Sequence, residues 1–231
     1  MGKKIIFIFV CIVFFTGCSN LKNMETNNIE DLKKYDITIS KLETSDGEIQ
    51  LKAESLNNLK DSYNGIVVSF NSIVKLHNWQ NTTNETYSPL IYYEDINKDS
   101  IKEIIVNTTL GYGTGLNINK IHVLNSNDLN EYKIENINDY IKANITTDIR
   151  NMLTISIKDK MQKVNIDNFK NNISLYKKAS FENYITYELK NSKINAIVAV
   201  QISDTEFLGN LVFEYDFIDN IFVISNVYYI T

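Results

Sequence analysis

Oxygen-bearing side chains recur at alternate positions in the stretch Asp95-Ile96-Asn97-Lys98-Asp99-Ser100-Ile101-Lys102-Glu103. Counted from Asp95 as position 1, Asn97 and Asp99 stand at 3 and 5, Ile101 at 7 and Glu103 at 9. In a loop that curls round a hard cation, alternate side chains turn inward. Oxygens from Asp95, Asn97, Asp99 and Glu103, with the backbone carbonyl of Ile101, then supply about six ligands. The loop contains no Cys or His, which argues against zinc and copper. Calcium is the expected ion, because magnesium tolerates irregular geometry less well. An EF-hand is not expected: its twelfth position needs a bidentate Glu and here is Val106, and the flanking residues read as strands. The alternative is a solvated Asx-rich turn that holds no ion.

A second passage, Gly111-Tyr112-Gly113-Thr114-Gly115, raises the question of a phosphate cradle. A dinucleotide fingerprint must open a helix inside a βαβ unit, and a P-loop needs Lys-Ser/Thr after its last glycine. Neither is present, so the segment reads as a glycine-rich connection between adjacent strands. A lesser reading makes it a rim loop near the ion that contacts a ligand. His77 and His122 are the only histidines, and each sits in a strand-like run where a framework role is expected. Without a G-x-S-x-G elbow or an H-E-x-x-H pair, a nucleophilic triad or zincin has no basis. Two carboxylates that meet in space would still suffice for glycoside hydrolysis. Trp79 and the tyrosines offer a sugar- or peptide-binding face, although core and sheet surface are the more usual places for them.

The Asp95–Glu103 loop resembles the D-x-[DN]-x-D-G-x-x-E-[IV] loop of FG-GAP and VCBS-type repeats, where calcium pins the turn between two strands of a β blade. The wider stretch SPLIYYEDINKDSIKEIIVNTTLGYGTGLNINKIHVLN is similar to a family of bacterial lipoproteins that carry such a loop. In that family the loop runs into a strand, then G-x-G-T-G, then a strand with a His-Val pair. The tail VQISDTEFLGNLVFEYDF is similar to its C-terminal region. The resemblance covers residues 60–231 and implies a β fold with a calcium loop, but no agreed activity. Ser100 stands where the pattern has glycine. A left-handed backbone there costs a non-glycine residue about 1–2 kcal/mol. Asn97 also replaces a charged ligand with a neutral one. Both changes point to weak calcium binding, roughly 10⁻⁴–10⁻³ M.

The elements that must position these residues are mainly strands. From Tyr35 onward, short apolar runs rich in Ile, Val, Tyr and Phe are broken by Asn, Asp and Gly. Strands are expected over 65–70, 73–79, 90–96, 102–109 and 117–124, and around the alternating Leu153, Ile155 and Ile157. The stretch 194–203 is apolar on both faces, as a buried central strand would be. In 211–217, Leu211, Phe213, Tyr215 and Phe217 share one face and Glu214 and Asp216 the other, and 221–230 closes an antiparallel meander. A 3.6-residue stripe places one short helix near 136–145, and a second is expected over 53–61. The fold class is therefore mainly β: antiparallel sheets, sandwich-like or propeller-blade-like, with one or two short helices.

The N-terminus bears on location. Lys3 and Lys4 precede the apolar run Ile5–Phe15, which is short for a membrane span, and then comes Phe15-Thr16-Gly17-Cys18. The last four residues resemble the lipobox of bacterial lipoproteins, with Phe15 in place of the usual Leu. That implies cleavage before Cys18 and a diacylglycerol on its thiol. The expected layout is a signal peptide over 1–17, a polar tether over 18–34 and one extracytoplasmic β domain over 35–231. Two subdomains, about 35–132 and 133–231, are an alternative. The only other cysteine, Cys11, lies within the signal, so the mature domain has no thiol for a disulfide, a nucleophile or a zinc site. Loss of Lys3 and Lys4 takes the 23 basic residues to 21 against 28 acidic ones, a net of −7. No basic cluster remains, so nucleic acid is a poor partner. The leading expectation is a lipid-anchored, non-catalytic binding or envelope-associated module with a structural calcium loop. Its protein or polymer partner is open. The rival is a metal-assisted or two-carboxylate hydrolase acting on envelope polymers.

Overall fold

A computed structural model describes residues 32–55, 61–169 and 174–231. The expected signal peptide, Cys18 and the tether as far as residue 31 lie outside these residues. So does most of the helix expected over 53–61, where Ala53 closes a strand and 56–60 are not described.

Strands dominate. β1 (Ile37–Thr44), β2 (Gly47–Ala53), β3 (Ser62–Phe70) and β4 (Ile73–Thr82) form a four-stranded antiparallel meander. β5 (Leu90–Glu94), β6 (Glu103–Gly113) and β7 (Leu116–Asn125) form a second meander. β8 (Lys133–Ile134) leads to the helix α1 (Ile137–Asn144), which is followed by a three-stranded sheet of β9 (Ile145–Ile149), β10 (Leu153–Ile157) and β11 (Lys160–Val164). A last meander runs through β12 (Tyr184–Lys190), β13 (Lys193–Gln201), β14 (Phe207–Ile218) and β15 (Ile221–Ile230).

The second and last meanders merge into one eight-stranded sheet, in the order β5-β6-β7-β12-β13-β14-β15-β8. Two of its pairings are parallel, β7 with β12 and β15 with β8. This sheet therefore crosses the boundary drawn near 132 between two subdomains. Its hairpins turn on short polar residues. Asn191 and Ser192 both take φ 54°, and Asp219 and Asn220 take 50° and 62°. Positive φ at both central residues matches the right-handed twist of the flanking strands, and Asn and Asp tolerate it best after glycine.

β6 shows why the sheets stack. Its first seven residues are buried on both sides. Ile104 and Val106, with Leu124 of β7, share a core with Ile49, Leu51, Ile66, Val68, Phe70 and Trp79 of the four-stranded sheet. Ile105 faces the other way, with Ile121 and Val123, and joins a larger core that includes Ile137, Tyr140 and Ile141 of α1 and Leu153 and Ile155 of β10. A strand buried on both faces loses its polar alternation, as here. The result is a mainly β, sandwich-like stack of sheets with one short helix among the described residues. Asn136 caps that helix by accepting the amides of Asn138 and Asp139 at 2.9 and 3.1 Å.

Candidate functional site

The Asp95–Glu103 loop joins β5 to β6, where the sequence pattern places it. Its short side chains accept the loop's own amides. Asp95 takes the Lys98 amide at 2.7 Å and the Ser100 amide at 3.0 Å. Asn97 Oδ1 takes the Asp99 amide at 2.9 Å, and Asp99 Oδ1 takes the Ile101 amide at 2.8 Å. Glu103 is almost wholly buried and reaches back to the Ile96 amide at 2.9 Å and the Asn97 amide at 3.4 Å. This is how Asx residues nucleate turns, and it turns alternate side chains inward.

Ser100 takes φ 74° and Lys98 φ 67°. The position where glycine was expected is thus left-handed, and an L side chain occupies it under strain. Burial pushes the Glu103 carboxyl up to about 7; the Ile96 and Asn97 amides work against this, and the charges of Asp99 and Asp95 add to it.

The loop gathers the five expected ligands, but not into one tight shell. Asn97 Nδ2 donates to Asp99 Oδ2 at 3.0 Å, and among the described residues no three acidic, histidine or cysteine side chains converge closely enough to hold a metal. The donor set is all oxygen and suits a hard cation; to grip one, Asp99 must first release the Asn97 amide.

Beside the loop lies a cavity of about 350 Å³, bordered by Asn97, Lys98, Lys193 and Asp216. Lys193 Nζ donates to Asp216 at 2.6 Å and holds that carboxyl below its ordinary range, helped by Ser225. This is a paired charge and not a pair of facing acids.

The glycine segment stands elsewhere. Gly111, Tyr112 and Gly113 end β6, and Thr114 and Gly115 make the turn into β7, with Gly115 at φ 70°. Glu103 starts the same strand, so the segment and the loop sit at opposite ends of it, about 30 Å apart at the rise of an extended chain. A rim loop near the ion is therefore incorrect. A hairpin between strands is the correct description. Tyr112 stacks on Tyr87 with ring centroids 4.3 Å apart.

The histidines and Trp79 converge in a way their sequence positions did not reveal. Trp79 lies between His77, 4.3 Å away, and His122, 4.0 Å away, with near-parallel rings. His122 Nδ1 lies 2.7 Å from Glu131 Oε1, and Trp79 Nε1 donates to Glu131 Oε2 at 2.9 Å. Thr108 Oγ1 stands 3.4 Å from His122 Nε2, and His77 Nε2 is buried with no protein partner. Trp79 belongs to the core and is not part of an exposed sugar- or peptide-binding face. Burial pushes His77 down to about 4, and Lys75 and His122 reinforce this against Glu131. Burial also lowers His122, with Lys120 adding and Glu131 opposing. At neutral pH the geometry is that of a neutral imidazole donating to a charged carboxylate. It packs the four-stranded sheet onto β6 and β7.

Glu131 is the partner that sequence reasoning missed. It lies far from both His77 and Trp79 in the chain, and no local spacing marks it. Set beside protein families, curated proteins and solved structures, the chain matches none.

Proposed function

We propose that this chain is a lipid-anchored extracytoplasmic β module that binds an envelope partner, with a weak structural calcium site in the Asp95–Glu103 loop. The observation that carries the reading is the loop itself. The side chains of Asp95, Asn97, Asp99 and Glu103, at alternate positions, accept the loop's own amides, and Glu103 is buried. A cation there would offset the crowding of Asp95, Asp99 and Glu103, and would fix the junction between β5 and β6. Asp95, Asn97, Asp99, Glu103 and the Ile101 carbonyl would hold it.

The hydrolase alternative needs two free carboxylates facing a cleft. The cavity beside the loop brings Asp216, already paired with Lys193, which favours the module.

Millimolar calcium should raise the melting temperature of the full chain over that in chelator. Calcium at ten times its dissociation constant supplies about 1.4 kcal/mol, a shift of a few degrees. Asp95→Asn combined with Asp99→Asn should erase the shift. Identical melting curves for the folded wild-type chain in both conditions would reduce the loop to a turn. For the anchor, Cys18→Ala should abolish labelling by a radiolabelled fatty acid in a bacterial host; labelling that persists in the variant refutes it.

A further inference from the structure

β7 and β12 pair over only two positions, Asn117 with Tyr184 and Ile118 with Ile185. β6 and β7, by contrast, pair along most of their length. Where β7 and β12 part, the sheet opens and a cavity of about 270 Å³ forms. Asn107 spans the opening, donating its side-chain amide to the Tyr187 carbonyl at 3.4 Å. That bond fixes which end of the Asn107 side chain is the oxygen.

The cavity lining has an unusual chemistry. It includes Asn107, Thr109, Asn117, Asn119, Tyr87 and Tyr187, and no charged side chain, in a chain where 22% of residues are charged. The Oδ1 atoms of Asn107 and Asn117 are both buried with no protein partner. Asn107 as a whole is 6% exposed. A buried carbonyl oxygen without a donor is costly, and two on side chains that line one cavity call for a ligand that brings donors. At the rim, Tyr87 stacks on Tyr112, which is 40% exposed. That pair offers a flat apolar face beside the polar floor.

We propose that this cavity binds a neutral saccharide unit. Its hydroxyls donate to Asn107 Oδ1 and Asn117 Oδ1, and the C–H face of the ring lies against the Tyr87–Tyr112 pair. An anion would find no cation in the lining, and a cation no carboxylate. An extended peptide pairs with a free sheet edge, whereas this floor is made of side chains from strands inside the sheet. A sugar ring offers donors, no charge and an apolar face together. The inference deepens the binding-module reading and rests on it. It does not rest on the calcium loop, which lies at the other end of β6.

The test titrates the full chain with glucose, N-acetylglucosamine and glucuronate, read by protein-observed NMR, in chelator and again in millimolar calcium. Saturable binding of a neutral sugar in the millimolar range is expected, with glucuronate clearly weaker and calcium without effect. Asn117→Ala and Tyr112→Ala, both at partly or well exposed residues, should each weaken binding about tenfold at unchanged melting temperature, the loss expected for one hydrogen bond or ring contact. No saturable shift with a neutral sugar, equal binding of glucuronate, or full affinity in the Asn117→Ala variant would each overturn the proposal. Affinity that disappears in chelator would place the sugar at the loop and overturn it too. A calcium-dependent melt with no sugar response defeats this inference alone. A sugar response with no calcium effect on melting defeats the loop alone.

Discussion

In the Asp95–Glu103 loop the backbone amides are taken up within one short segment, between residues at most seven positions apart, and a loose ion pair, Lys102 with Asp46 at 3.8 Å, reaches a distant part of the chain. The imidazole–indole stack draws instead on β4, on β7 and on the segment after β7, and its Trp79–Glu131 bond joins residues 52 positions apart. Both regions bury a titratable group, but in opposite senses. The loop buries an acid among acids, whereas the stack buries bases against an aromatic core. The loop shapes one turn, and the stack fastens one sheet to another. A change in the loop should therefore act locally, and a change in the stack should act on the whole fold.

The largest effect should come from Trp79→Ala. Removing a buried indole, with its ring contacts and its bond to Glu131, should cost about 3–5 kcal/mol in denaturant unfolding. A loss under about 1 kcal/mol would mean that the stack does not hold the sheets together.

Acid should separate the two regions. His77 sits at about 4 when folded, against an ordinary 6.5, so the unfolded chain binds the extra proton between those values. Stability from this residue is complete above 6.5 and falls as the pH drops towards 4, by up to about 3 kcal/mol. The lowered His122 acts in the same direction. Glu103 runs the other way. Its folded value near 7 exceeds the ordinary 4.5, so protonation relieves the loop as the pH falls from 7 towards 4.5. In chelator, His77→Phe should flatten or reverse the acid loss of stability, whereas Glu103→Gln should steepen it. Denaturant midpoints at pH 7 and pH 4.5 read both. Identical pH profiles for the wild type and both variants would remove the distinction.

The smallest effect belongs to Ser100→Gly. Relief of a left-handed backbone should stabilise the folded chain by about 1 kcal/mol and enlarge the calcium-dependent shift in melting. A destabilised variant would show that the serine side chain contributes more than its backbone strain costs.

The fold class and the loop were legible because both are written in local spacing. The alternation in 153–157 and 211–217 and the doubly apolar 194–203 identify strands directly, and β15 spans the stretch read for it. The 3.6-residue stripe gives α1 to within a residue. β1, β2 and β12 carry charges in alternate or mixed positions, and their pattern was too weak to name them individually. The stack and the cavity were illegible for another reason. His77, Trp79, His122 and Glu131 meet only because the four-stranded sheet packs on β6 and β7, and Asn107 nears Tyr187 only because β12 adjoins β7. Such contacts follow from strand order, which period and composition do not encode. The misplaced rim loop has the same origin: Gly111 is near Glu103 in sequence, but an extended strand carries it to the far end.

The two parallel joins also bear on how the chain reaches this structure. Within the meanders each strand pairs with its sequence neighbour through a short connection, so hairpin formation can proceed locally and fast. The joins are different. Ile118 meets Ile185, 67 positions on, and Ile134 meets Phe222, 88 positions on, each over two residue pairs. Contacts that close such long stretches of chain for so few hydrogen bonds recover little of the entropy they cost. Assembly of the eight-stranded sheet should therefore be the late step, with finished meanders docking along their edges. The same seams should be the first to exchange their amide hydrogens when the native protein opens.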